Sequence, residues 1–193
     1  VRTDFTGYLE GDPLSWVDLT LFITPPAEIK SISFIWKDGQ AEFARQAKGA
    51  LFDGKEGPAV EDIVMTLATV RAADAVALDD KDAAKAVRSS QVKLTLFDGT
   101  VATLTFAKLA GTAPNDPGKT FVRVEHSDPK HKANATAKLA NFVAAPWLAE
   151  QVPGSLADFK KSLQQPAAEP AASTIQIPGP APTIITSPEI KLK

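Results

Sequence analysis

Two stretches of the chain alternate between apolar and polar residues and are broken in the middle by Asp-Gly. Ile29-Lys-Ser-Ile-Ser-Phe-Ile-Trp36 places Ile32, Phe34 and Trp36 on one face, Asp38-Gly39 follows, and the return stretch 40–46 carries Ala41 and Phe43 on one face. Val92-Lys-Leu-Thr-Leu-Phe97 leads into Asp98-Gly99 and returns over 100–107 with Ala102, Leu104 and Phe106 aligned. A period of two is the signature of half-buried strands. Asp-Gly between such runs predicts hairpins with type I′ turns, in which both turn residues take positive φ. The repetition of this pattern predicts two related units, about 28–88 and 89–163.

Helical spacing appears between and after the hairpins. Val60, Ile63, Val64 and Leu67 recur behind Pro58, which predicts a helix from there to about Ala73. Asp79 or Asp80 is placed to cap a short helix running through Ala83, Ala84 and Val87. Residues 119–126 read as a further strand, and the alanine-rich 133–140 favours helix. Phe142 to Ala145 reads as extended before Pro146, and Ser155 caps a closing helix to Leu163. Antiparallel hairpins mixed with helices define an α+β fold: two β-meander units with packed helices sharing one core over 1–163. Residues 164–193 differ, holding six of the fifteen prolines and five alanines. Proline pre-extends a chain, and the β-like apolar positions Ile175, Ile177, Ile184, Ile185, Ile190 and Leu192 suit docking better than solvation. They are the expected partner-binding residues, against this domain's own sheet or a partner's; the alternative is that the segment is only a proline-rich linker.

Composition narrows the chemistry. A chain of 193 residues with 44% apolar content can bury a core without a disulfide or metal staple. A net charge of −2 argues against a general nucleic-acid binder, and the absence of cysteine removes thiol catalysis and Cys-zinc sites. No G-x-S-x-G elbow is present, and no catalytic residue, cofactor or metal is assigned. Ala113-Pro-Asn-Asp-Pro-Gly-Lys-Thr120 matches a relaxed phosphate-loop pattern, but Pro114 and Pro117 lack the N–H groups that cradle phosphate. It reads as a polar loop between strands. His126 and His131 lack the i, i+2 or i, i+4 spacing of paired metal ligands, so His126 reads as a satisfied edge or core residue. Asp79-Asp-Lys-Asp82 lacks the glycine and distal Glu of a calcium loop and reads as a helix cap. Asn134-Ala-Thr136 is a glycosylation sequon that matters only in a eukaryotic secretory protein. Trp16, Trp36 and Trp147 read as core anchors.

The order Ile29–Phe34, Ala59–Val76, the hairpin Val92–Phe106, Thr120–Val124, then Phe142-Val-Ala-Ala-Pro-Trp147 and Leu156-Ala-Asp-Phe159 resembles the bacterial domain-of-unknown-function family 4340. The likeness covers about residues 28–163. The chain departs from the family pattern at Leu51-Phe52, where a tryptophan is usual, and at Arg88-Ser-Ser90, where Tyr-Gly-Leu is usual. The resemblance implies an extracytoplasmic domain on the periplasmic side of a bacterial cell envelope, tethered by an N-terminal membrane helix ahead of Val1. Some members are linked to gliding-motility-type ABC transporter components. The expected function is therefore a non-enzymatic interaction or scaffold domain with a protein partner, such as a membrane complex. No nucleic acid is expected, nor membrane insertion by residues 1–193. The alternative is a ligand-binding accessory subunit of an ABC-type transporter. A deep apolar cavity with convergent polar groups favours the alternative, and a free sheet edge favours the scaffold.

Overall fold

The computed structural model describes residues 18–113 and 116–164. Its strands are β1 (Thr20–Ile23), β2 (Ile29–Trp36), β3 (Gly39–Ala44), β4 (Thr69–Val76), β5 (Val87–Leu96), β6 (Val101–Leu109), β7 (Lys119–His126) and β8 (Asn141–Ala144). Its helices are α1 (Gly57–Leu67), α2 (Lys81–Lys85), α3 (Lys132–Thr136), α4 (Pro146–Glu150) and α5 (Leu156–Gln164). The eight strands form one antiparallel sheet in the order β1-β4-β8-β7-β6-β5-β2-β3. The α+β class is therefore the observed one. Ile175, Ile177, Ile184, Ile185, Ile190, Leu192 and Trp16 lie outside the described residues.

The alternation read from the sequence sets the core face. One row of paired positions crosses six strands: Trp36, Ser90, Phe106, Val122, Phe142 and Ala75, all buried. The next row is Phe34, Val92, Leu104 and Val124, also buried. Helices cover this face. Val60, Ile63, Val64 and Leu67 of α1, Leu148 of α4 and Phe159 of α5 join the same cluster. Phe159 packs 4.5 Å from Phe34 and 5.0 Å from Trp36, ring centre to ring centre. Each such side chain contributes about 2–3 kcal/mol of burial. The opposite face is polar along its middle, where Ser33, Lys93, Thr103 and Glu125 form one cross-strand row that is half-exposed or exposed.

The structure corrects four sequence expectations. The helix starting near Pro58 stops at Leu67 rather than Ala73, and residues 69–76 form β4. Val70, Ala72 and Ala75 are buried there, so pairing with β1 and β8 overrides the alanine-rich helical preference. The short second helix ends at Lys85, and Val87 opens β5. Neither hairpin turn is type I′: Gly39 and Gly99 take positive φ, but no other residue type does among the described residues, so Asp38 and Asp98 do not. In the second hairpin Gly99 N–H donates to Leu96 C=O, Leu96 N–H donates to Thr100 C=O, and Gly99 sits at φ +86°. That is a type I turn closed by a glycine bulge. Asp98 keeps ordinary φ and uses its carboxylate to accept from the Thr100 N–H and hydroxyl. Lastly, Trp147 is 47% exposed on α4, whereas Trp36 is buried as expected, its indole N–H donating to Pro153 C=O.

Two helix starts follow the capping chemistry read from the sequence. Asp80 accepts from the N–H groups of Asp82 and Ala83 at the start of α2. Ser155 Oγ accepts from Asp158 N–H at the start of α5, and Asp38, in the first hairpin turn, accepts from Leu156 N–H. The hairpin and the closing helix are thereby tied together, and the helix lies against β3.

Candidate functional site

One end of the sheet opens into a cleft of about 550 Å³ between the strands and the segment carrying α4. Its strand side is built from Ala73 of β4, Ser89 of β5, Phe106 and Lys108 of β6, Thr120 of β7, and Val143 and Ala144 of β8. Its other side is Pro146, Ala149 and Glu150 of α4, then Val152, Pro153 and Gly154. The regular pleat fails twice beside the cleft. The β4–β8 register shifts between Ala72 and Asp74, and the β5–β6 register shifts between Arg88 and Ser90. The residues these β-bulges insert, Ala73 and Ser89, both line the cleft. Bulges commonly re-aim side chains beside binding sites. Ser89 Oγ is held by donating to Phe106 C=O at 3.3 Å.

Charge in the cleft is divided between its sides. Lys108 and Lys119 belong to the paired strands β6 and β7, and Glu150 to α4. Lys119 Nζ stands 3.8 Å from Asp82 Oδ2, a long and solvent-exposed pair. Lys108 and Glu150 form no ion pair among the described residues. The phosphate-loop match borders this cleft through Pro117, Gly118, Lys119 and Thr120. Strand β7, not a helix, follows Gly118, and Asp116 fills the turn by accepting from the N–H groups of Thr112 and Gly118. Those bonds hold its carboxyl below the ordinary value. A carboxylate already occupies the donors a phosphate would need.

The two histidines, five residues apart, meet in space. Their rings stack with centres 4.0 Å apart, and each lies just over 6 Å from the ring of Phe22. His126 Nδ1 accepts from Asp128 N–H, and His131 Nδ1 accepts from Ala133 N–H, capping α3. Burial, then the neighbouring His126 and Lys132, lower the His131 pKa, with Asp128 opposing. Among the described residues no three His, Asp or Glu side chains gather into a metal-binding group. Asn134, the sequon residue, is fully engaged: its side chain accepts from His126 N–H and donates to the carbonyls of His126 and Asp128. The Asp79–Asp82 run works as the α2 cap already described.

Sequence reasoning missed Arg45. It is 2% exposed, donates to the carbonyls of Ala50 and Pro26, pairs with Glu61 at 3.4 Å and stacks on Phe52. It pins the loop between β3 and α1 and faces no cavity among those described. The cleft was also missed, although a signal was present: the alternation of β5 breaks at Arg88-Ser-Ser, where the bulge forms. Comparison with protein-family models, with curated proteins and with solved structures finds no match to this chain.

Proposed function

We propose that this chain is a non-enzymatic interaction domain of a bacterial cell-envelope protein, held on the periplasmic side by a membrane helix ahead of Val1, and that its partner is a protein. The observation that carries this reading is the edge of β3. Among the described residues β3 pairs only with β2, and every second residue of an antiparallel edge strand turns its N–H and C=O outward. Its six residues contain no proline and no lysine, the usual devices that blunt an edge, while the opposite edge strand, β1, has four residues and an irregular register. An extended segment of a partner protein fits such an edge by strand addition, with backbone hydrogen bonds giving affinity. The strands of 89–163 run as one meander, β5-β6-β7-β8, whereas 28–88 supplies the β2–β3 hairpin on one side of it and β4 on the other, so the expected pair of meander units does not form. On this reading the isoleucines of the proline-rich 164–193 give the partner a second contact.

The test places a photo-crosslinking amino acid at Glu42 in the full-length protein within its own cell, with Lys93 on the open face as control. A discrete cross-link to one envelope protein from position 42, weakened by truncation after Leu163, is expected. Cross-links only within the chain, or fractionation of the protein with the cytoplasm, would overturn the proposal. The alternative, a ligand-binding accessory subunit of an ABC-type transporter, is favoured by the cleft beside α4.

A further inference from the structure

From the cleft beside α4 we infer a binding site for a small zwitterion with an apolar body, of which a short apolar peptide with both termini free is the fitting class. This deepens the ligand-binding reading and is independent of the β3 edge. Three observations point the same way. The volume, about 550 Å³, lies in the range of small-molecule sites. The lining of the cleft is largely apolar: Phe106, Val143, Ala149 and Val152 contribute to it beside three prolines that offer no N–H. The charges stand on different elements: Lys108 on β6 and Glu150 on α4, while Lys119 is turned toward Asp82 of α2. Lys108 and Glu150 have no ion-pair partner among the described residues.

A ligand that satisfies all of them places its carboxylate toward Lys108, with the Thr120 hydroxyl beside it on the same face of the sheet, and its ammonium toward Glu150. Its apolar side chains then lie against the apolar lining of the cleft, Val143 and Ala149 included. A simple anion would leave Glu150 facing it unpaired, and a neutral apolar ligand would desolvate both charges without compensation. The two bulges serve this arrangement. Without the extra residues Ala73 and Ser89 the pleat would continue regularly through the strand wall.

Titration calorimetry on the full chain tests the inference with leucine, Leu-Leu, acetyl-Leu-Leu and Leu-Leu-amide, and with dodecanoate as a plain amphiphilic anion. The exposed Trp147, adjacent to Pro146, supplies a fluorescence readout of the same event. Leu-Leu is expected to bind saturably at one site, and acetylation or amidation each to weaken it about tenfold. Lys108→Gln should weaken Leu-Leu about tenfold yet leave Leu-Leu-amide unchanged, and Glu150→Gln should do the same for Leu-Leu against acetyl-Leu-Leu. Both are surface changes that leave the fold intact, while Ala149→Trp should fill the cleft and abolish binding. Leucine binding as tightly as Leu-Leu would make a free amino acid the source of the same zwitterion and support the site. No saturable binding of leucine or Leu-Leu, binding indifferent to acetylation, or tighter binding of dodecanoate would each overturn the inference.

Discussion

His131 serves as a helix cap only while its Nδ1 is unprotonated, because that nitrogen accepts from Ala133 N–H. Its folded pKa lies below the ordinary 6.5, chiefly through burial, so protons bind more readily to the unfolded chain. The associated stability is complete above about pH 6.5 and is lost as pH falls toward the lower folded value. The facing charged groups are His126 on β7, Asp128 in the turn and Lys132 on α3, with Asp98 of the β5–β6 turn near His126. Urea midpoints are expected to drop between pH 8 and pH 5, and His131→Asn, which keeps a cap acceptor but does not titrate, to flatten that drop. An unaltered slope in the variant would show that His131 is not its source. Arg45 and Ser90 give opposite outcomes from similar burial. Arg45→Ala removes donors from the carbonyls of Pro26 and Ala50 and strands Glu61, costing about 3 kcal/mol in a denaturation measurement. Ser90 Oγ has no hydrogen-bond partner among the described residues although it sits in a six-strand apolar row. Ser90→Ala is expected to stabilise by about 1 kcal/mol, read from the same curves.

Secondary elements were legible in the sequence where a period and a punctuation mark coincided. Strands β2, β3, β5 and β6 each combine alternation with Asp-Gly, and the starts of α2 and α5 each carry a capping side chain. Thr20–Ile23 has neither punctuation nor length, so β1 was not foreseen: its strand character comes from pairing with β4. Residues 68–73 failed for the converse reason, since alanine suits both states and only the tertiary pairing decides. The turn type was missed because Asp-Gly permits two solutions, and the bond from Thr100 N–H to Asp98 selects the one in which only glycine takes positive φ. Gly99 has open space around it, so Gly99→Ala is expected to cost only the backbone term, about 1–2 kcal/mol. Gly57 opens α1, where propensity alone would favour alanine by about 1 kcal/mol. A Cβ there would run into the Phe52 carbonyl oxygen, so Gly57→Ala should instead destabilise by about 2 kcal/mol in thermal melts. A gain on Gly57→Ala would mean that the 52–57 loop yields freely.

At the scale of the whole molecule, the sheet order interleaves the two halves of the chain. β5, β6, β7 and β8 are consecutive neighbours, but β5 also pairs with β2, and β8 with β4. Strands from the N-terminal half therefore close both sides of the C-terminal four. The sequence could not convey this, because the pairing partners Trp36 and Ser90, or Ala75 and Phe142, are brought together only by the completed sheet. The cleft was hidden for the same reason, being assembled from residues as far apart as Ala73 and Gly154. Such non-local pairing makes folding slow and all-or-none, since loop closure precedes the contacts that reward it. Fragments 1–88 and 89–193 are accordingly expected not to fold alone. The first leaves β2–β3 and β1–β4 without the strands that join them, and the second exposes β5 and β8 as unpaired edges prone to aggregation. Mixed during refolding, they should recover the circular dichroism and a single cooperative melt of the intact chain. A fragment 89–193 that is monomeric, with dispersed amide resonances on its own, would show that the C-terminal strands form an autonomous unit and that the N-terminal half merely docks against it.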